Sequence, residues 1–360
     1  MTIALVLYGR LETLTGGFLY DRYLVEALQR RGHRVEVVGL PWRHYGVCLL
    51  DNFSHELCDR LCRGPWDLIL QDELVHPSLF RLNRRIHRRS RTPIVSIIHQ
   101  VLCHQPRHRW FNRAYRQVER AYLQTADAYI FNSTATRDQV RQLVGETRPH
   151  CVARPAGNRL GVLSSQGLIA ERSRQSGPLE LLFVGNLSPV KGLHPLLAGL
   201  ARLPREMWRL TLVGDMAADR RCVRRAHAII ARHGLEKQVV FRGCLNGDEL
   251  KAVYARSHVF AMPFAHEGFG IAALEAMGFG LPVIGSCAGG IREFVRHGEN
   301  GFLVAPGDYE SVGRHIEALH GDRGRLIAMG TAAFNTGCAW PSWQQALEPA
   351  CVFLEKRMAS

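Results

Sequence analysis

The chain has 360 residues, 46% of them apolar and 22% charged, with a formal net charge of +14. That length can hold two domains with full cores, and that composition excludes a disordered chain. No apolar run approaches the ~20 residues of a membrane span, and the ten cysteines are scattered, which leads us to expect reduced thiols and no paired metal motif.

The charge is uneven. Residues 1–170 hold 24 arginines, no lysine and 14 acids, a balance of +10, which leaves +4 for the rest. The excess concentrates in Arg81–Arg91 and Arg107–Arg120. A basic face can meet nucleic acid, an anionic membrane or an acidic acceptor, or can simply be solvated. No nucleic-acid recognition motif accompanies it, so nucleic acid is not an expected partner.

In chain order, residues 2–8 read as a buried strand. No basic stretch precedes it, so it does not read as a secretory signal, and the cytoplasm is the expected compartment. Gly16-Gly17 then opens a helix over Tyr20–Arg30, with Tyr23, Leu24, Ala27 and Leu28 on its apolar face. Gly32-His33 ends it. Strands follow at 35–38, 67–70, 93–98 and 128–131. The polar stretch Ser164 to Pro178 reads as a linker. Strands resume at 179–184, 210–213, 239–241, 259–262 and 282–284.

Short strands alternating with helical stretches imply parallel sheets with helices on both faces. The expected fold class is α/β, with two Rossmann-like domains facing a central cleft. Residues 1–163 form the first, 164–178 the linker, 179–339 the second, and 340–360 a closing helix with Ser342 as its N-cap. Open sheets of this kind take ligands at the carboxyl ends of their strands.

Two segments carry chemistry. Phe183-Val184-Gly185-Asn186-Leu187-Ser188-Pro189-Val190-Lys191-Gly192 ends a strand and places Lys191 at a helix start. An ammonium there can neutralise a diphosphate leaving group, although a surface lysine in a loop reads the same way. The second segment is His266-Glu267-Gly268-Phe269-Gly270-Ile271-Ala272-Ala273-Leu274-Glu275-Ala276-Met277-Gly278. Helix formers begin at Ile271, so the backbone N–H groups of Gly268, Phe269, Gly270 and Ile271 make an anion site. Glu275 lies about one turn into that helix, roughly 6–8 Å along it at ~1.5 Å per residue. A diphosphate on those N–H groups has one carboxylate near each end. That arrangement suits a nucleotide sugar, with Glu275 on the ribose and Glu267 on the sugar. The plainer alternative is a capped helix carrying two surface acids.

Two absences complement this reading. There is no Asp-x-Asp pair to hold a divalent cation on a diphosphate. No Ser-His-Asp or Cys-His arrangement is legible, and His104 and His108 lack zinc spacing. No metal and no cofactor are expected.

The chain continues Gly280-Leu281-Pro282-Val283-Ile284-Gly285-Ser286, then Gly289-Gly290-Ile291-Arg292-Glu293, then His297-Gly298-Glu299-Asn300-Gly301-Phe302-Leu303-Val304 and Pro306-Gly307-Asp308. With the segments above, residues 180–310 resemble the donor-binding half of glycosyltransferase family 4, whose fold is GT-B; the first half resembles it more weakly. The resemblance implies a retaining, metal-independent, hexosyltransferase-type enzyme using a nucleotide-diphosphate sugar. It implies catalytic roles for His99, Lys191 and Glu267, with His99 facing the reacting sugar. It implies donor contacts at Gly17, Asn186, Lys191, Gly268–Ile271 and Glu275, and nucleobase contacts from the backbone of Gly243, Cys244 and Leu245. It also implies that the last helix crosses back to the first domain.

The sequence departs from the family at two places. Asn186 stands where the family usually has a base, and Gln100 where it often has an acid. The base of the donor stays open among uridine, guanosine and adenosine, and the acceptor among glycan, lipid and small molecule. Trp110 and Phe111 interleave with the arginines of Arg107–Arg116, so peripheral contact with the inner face of an anionic membrane is expected. The alternatives are a nucleotide-sugar epimerase or hydrolase of the same fold, and a basic nucleic-acid- or sugar-binding protein without catalysis.

Overall fold

The computed structural model describes residues 1–13, 15–106, 108–145, 148–161 and 164–359. They form two compact units, one of residues 1–155 with 344–360 and one of residues 156–343.

The first unit is built on β1 (Thr2–Tyr8), β2 (Arg34–Leu40), β3 (Leu68–Asp72), β4 (Ile94–Ile98), β5 (Ala128–Phe131) and β6 (His150–Val152). They pair in parallel in the order β2-β1-β3-β4-β5-β6. β3, β4 and β5 are buried along their whole length, which is why they read as continuous apolar runs and not as alternation. The second unit repeats the plan with β7 (Leu179–Val184), β8 (Trp208–Val213), β9 (Val239–Gly243), β10 (Val259–Met262), β11 (Val283–Ser286) and β12 (Gly301–Val304). Its order is β12-β11-β10-β7-β8-β9, again parallel. Each unit has its own apolar core.

Both sheets reverse their strand order once. β1 lies between β2 and β3, and β7 lies between β8 and β10. Ligands bind at such reversals, outside the carboxyl ends of the strands. In the first unit those ends lead into residues 73 and 99; in the second they lead into residues 185–191 and 263–267.

Several boundaries differ from the sequence reading. The first helix spans Gly16–Arg30 and begins before Tyr20, because Thr15 caps it by accepting from the Phe18 N–H. The stretch 164–178 is not a linker. It carries the helix Gln166–Arg174 inside the second unit, capped by Ser165. Its polar look misleads because Arg172 is buried, donating to the carbonyls of Ala255, Phe279 and Gly280 at 2.9–3.3 Å. The change of unit falls after Pro155, ahead of the expected boundary at residue 163, which itself lies outside the described residues.

The last helix, Trp343–Ala359, belongs from residue 344 to the first unit. There Arg31 donates to Glu348 at 2.9 Å and to Glu355 at 2.7 Å. The two basic runs form the helices Leu82–Arg89 and Arg109–Leu123, while Arg107 lies outside the described residues. Among the described residues no helix is long and apolar enough to cross a membrane.

Candidate functional site

In the second unit the site begins where β7 stops. Gly185 and Leu187 donate to Val213 and Asp215 at 2.9 and 3.1 Å, which holds Asn186 between the ends of β7 and β8. The chain then makes the short turn Pro189–Lys191 and enters the helix Leu193–Leu200 through Gly192, at φ 80°. Only glycine fits there, since a Cβ would stand 2.0 Å from the Pro263 carbonyl oxygen. This close approach seats the lysine turn on the loop that follows β10. The Ala265 N–H donates to Val190 at 2.7 Å across the same junction.

The outcome is an ion pair between Lys191 Nζ and Glu267 Oε2, both side chains partly accessible. The Glu267 loop is fixed from its other side by Gly289, at φ 85°, where a Cβ would lie 1.9 Å from the Glu267 carbonyl oxygen. Residues 76 positions apart in sequence are thereby brought to the reversal point of the sheet. Gly268–Gly270 lead into the helix Ile271–Gly278, with Gly270 as its N-cap. Phe269 offers only its backbone to a ligand. Its ring is buried against Phe294 and Trp340, at 5.2 and 5.9 Å between centroids, and anchors the loop.

Glu275 is buried. One of its oxygens accepts from Arg159 Nε, and the other from Arg159 Nη2 and Tyr254 Oη, each at 3.2 Å. Burial raises its pKa, and Arg159 acts against that rise. Arg159 was not legible in the sequence. It lies 116 positions before its partner and belongs to no motif. Gly157 brings it there, because a Cβ at that position would press on Leu274 and on the Glu275 backbone nitrogen at 2.7–3.0 Å. Gly243 ends β9, and its carbonyl accepts from Gly214 at 2.9 Å. Gly243, Cys244 and Leu245 therefore lie two strands out from Asn186, roughly 10 Å at ~4.8 Å per strand. Arg292 is exposed in the turn Gly290–Glu293.

In the first unit, His99 follows β4 and is buried among acids. Its Nε2 lies 3.0 Å from Asp21 Oδ1, and its backbone N–H donates to Glu73 Oε2 at 2.9 Å. Its carbonyl accepts from Asn132 Nδ2 at 2.8 Å. Gly17 lies against the ring, where a Cβ would be 3.2 Å from Cδ2. One oxygen each of Asp21 and Asp72 and one ring nitrogen of His99 fall within 4.8 Å of one another.

Burial alone would lower the imidazole pKa. Asp21, backed by Glu73 and Asp72, overrides that and raises it to about 10, so the ring is an imidazolium at neutral pH. Burial pushes Glu73 up to about 7, against the opposing pull of His99. Burial and the neighbouring carboxylates also raise Asp72 well above the usual carboxylate range. Asp21, Asp72 and Glu73 were missed by the sequence reading because they come from a helix and a strand end with no shared spacing.

A model of the family described as glycosyl transferases group 1 matches residues 167–336, and one described as glycosyltransferase family 4 matches residues 16–155. The chain belongs to glycosyltransferase family 4. Its family 4 relatives include a glycogen synthase of Mycobacterium tuberculosis, 30% identical over 64% of this chain and 55% of that one. A D-inositol 3-phosphate glycosyltransferase of Streptomyces bingchenggensis is 31% identical over 58% of this chain and 48% of that one. The matches thus span about half the length of these relatives. The fold is GT-B. A sucrose-phosphate synthase from Thermosynechococcus elongatus superposes over 100% of both chains with a TM-score of 0.83 at 21% identity. The Anabaena protein HepE, in complex with UDP-glucose, superposes over 100% of both chains with a TM-score of 0.78 at 22% identity.

Proposed function

We propose that this protein is a retaining, metal-independent glycosyltransferase of the hexosyltransferase type. In this reading it moves a sugar from a nucleotide-diphosphate sugar to an acceptor hydroxyl. The observation that carries the reading is the Lys191–Glu267 pair at the carboxyl ends of β7 and β10, directly ahead of the helix Ile271–Gly278. The diphosphate lies on the backbone of Gly268–Ile271 and on Lys191, which takes up the charge that Asn186 cannot. Glu267 accepts from hydroxyls of the sugar, Glu275 from the ribose, and the backbone of Gly243–Leu245 meets the base. Gly17 approaches the donor, and His99 acts on the transferred sugar. The bond from the anomeric carbon to the diphosphate breaks, and a bond to the acceptor oxygen forms on the same face. The acceptor proton passes to the departing phosphate, so the protein mainly positions reactants and stabilises charge.

A neighbour of the same fold holds UDP-glucose, so uridine-diphosphate sugars are the first donors to try. Thermal shift against UDP-, GDP- and ADP-sugars tests this: a donor at 100 times its Kd stabilises by about 2.7 kcal/mol. The expected product is a glycoside with retained configuration, formed equally well in excess chelator. Free sugar as the sole product would point to a hydrolase, and loss of activity on chelation with recovery in magnesium or manganese would overturn the metal-independent part.

We place the acceptor at an anionic membrane surface, which implies a peripheral location on the cytoplasmic face. Trp110 and Phe111 are exposed at the start of the helix Arg109–Leu123, and Trp42, Leu50 and Phe53 are exposed nearby in sequence to Tyr45, which stacks on Tyr115 of that helix at 4.0 Å. Arg84 and Arg88 are exposed, whereas Arg89 is spent on Asp59 at 2.6 Å and Arg85 on the carbonyls of Asn52 and Ser54. Each arginine near such a surface contributes about 1 kcal/mol. The protein is expected to float with phosphatidylglycerol vesicles at low salt. Replacing Arg84, Arg88, Arg109 and Arg113 by Ser removes on the order of 4 kcal/mol on that scale and should abolish flotation. Wild-type protein that stays at the bottom of the gradient would sink the membrane reading.

A further inference from the structure

The first unit has a cavity of about 370 Å³ at the amino ends of its strands, the edge of the sheet opposite His99. Arg84, His87 and Arg88 line it from the helix Leu82–Arg89. Thr125 and Asp127 line it from the turn that enters β5, and Arg148 from the segment that enters β6. Arg84 and Arg88 stand four residues apart and so share one face of their helix. All three arginines are exposed, and among the described residues none of their guanidiniums has an ion pair or a hydrogen bond. Arg85 and Arg89 of the same helix differ: they are engaged with the carbonyls of Asn52 and Ser54 and with Asp59. The free pair thus marks the face that meets the cavity and not the helix as a whole.

The ordinary use of arginine at this place would be to cap helix ends. The helix Arg109–Leu123 ends beside the cavity, and the last carbonyls of a helix attract cations. Here those carbonyls already have donors. Tyr122 accepts from Thr125 Oγ1 at 2.6 Å, Leu123 from Tyr129 Oη at 2.6 Å, and Thr125 from His87 Nε2 at 2.8 Å. Asp127 accepts from the Ile94 N–H at 2.8 Å, and the same oxygen lies 3.9 Å from His87 Nε2. Three guanidiniums against one carboxylate leave a surplus of two positive charges around a single cavity.

We propose that this cavity binds the phosphate group of a phosphorylated small molecule or lipid headgroup. Guanidinium forks match phosphate oxygens two at a time, which a single ammonium does not. A phosphate monoester carries about −1.5 to −2 charges at neutral pH, close to the surplus that the arginines leave. Small-molecule sites occupy roughly 300–1,000 Å³, so the cavity holds a phosphate together with part of the molecule that carries it. The site lies at the amino ends of the strands, whereas Gly17 and His99 belong to the carboxyl ends. It is therefore separate from the residues placed against the transferred sugar. The inference does not depend on the membrane reading, because a soluble ligand and a lipid headgroup present the same phosphate chemistry.

Pyrophosphate is the probe, titrated into the full-length protein by calorimetry at about 0.15 M salt, where loose attraction between exposed charges is screened. Binding should persist in Lys191→Ala, which lacks the cation of the candidate donor site. In that background Arg148→Gln should weaken it at least tenfold, about 1.4 kcal/mol, and Arg84→Gln or Arg88→Gln should do the same. Asp127→Asn should tighten it, since the amide keeps an acceptor for Ile94 and loses the opposing charge. The arginines hold no other part of the fold, so melting temperatures without ligand should match wild type; if one variant melts lower, Asp127→Asn carries the test. Flotation with phosphatidylglycerol vesicles then identifies the source. Flotation that falls in Arg148→Gln and is competed by pyrophosphate assigns the site to a lipid headgroup, and flotation indifferent to both assigns it to a soluble phosphate ester; each supports the site. Absence of pyrophosphate binding in Lys191→Ala, or binding of equal strength after Arg148→Gln, overturns the proposal and leaves the donor-site reading untouched.

Discussion

Lys191→Ala is expected to lower turnover by about 10²–10³-fold, the cost of losing one preorganised charge at a leaving group, about 2.7–4 kcal/mol. Lys191→Arg should lose far less, because the required property is positive charge at the end of β7. In the free protein that charge is held by Glu267 and is not disordered in solvent. In the proposed function, donor binding brings a second claimant, the diphosphate, to an ammonium already in place, so little reorganisation remains for the reaction itself. Glu267→Ala tests the other half. On the proposed assignment of Glu267 to the sugar, it should reduce turnover while sparing affinity for free nucleoside diphosphate. Steady-state rates with calorimetry on the diphosphate alone separate the two roles. Equal loss for Ala and Arg at position 191 would sink the charge argument, and loss of diphosphate affinity in Glu267→Ala would sink the sugar assignment.

Glu275→Ala is expected to do two things at once: weaken diphosphate binding and destabilise the second unit. The carboxylate is buried and tied to Arg159 and Tyr254, so its removal takes the counter-charge from Arg159 and leaves Tyr254 only its bond to the Ala272 carbonyl at 3.1 Å. Breaking a buried pair from one side costs about 3 kcal/mol. At 2–4 °C per kcal/mol for a unit of this size, the melting temperature falls by on the order of 6–12 °C. Glu275→Gln keeps the shape and one acceptor and should recover part of the stability. The double variant Glu275→Gln with Arg159→Gln should recover more, because no buried charge is then left without its counterpart. Differential scanning calorimetry checks this. A melting temperature within 2 °C of wild type in Glu275→Ala would show that the pair contributes nothing.

How much of the site was legible can be argued from these residues. Glu267 and Glu275 stand in one continuous segment, so their spacing around a helix start could be read directly, and the helix begins at Ile271 as that spacing requires. Lys191 was legible as the cation that follows a glycine-bearing strand end. Its partner was not, because the contact depends on Gly192 and Gly289 allowing two loops to touch. His99 was visible only through its resemblance to a family position, and nothing near it in sequence announced Asp21, Asp72 and Glu73. The stretch 164–178 shows the opposite failure: polar composition there suggested a linker, although its one buried arginine donates to three carbonyls from elsewhere in the unit.

By itself the sequence determined the alternation of strand and helix, the repetition of that plan in two halves, and the order of the donor-site motifs. These follow from local periodicity, glycine placement and end signals, which act over a few residues. The tertiary structure alone decided the strand order, with its reversals at β1 and β7, and hence which strand ends share a site. It also decided the pairings Lys191 with Glu267, Arg159 with Glu275, and Asp21 with His99. The physical reason is that pairing energies and pKa shifts arise from distance and burial, and residues 76 to 116 positions apart acquire both only when the sheets are assembled.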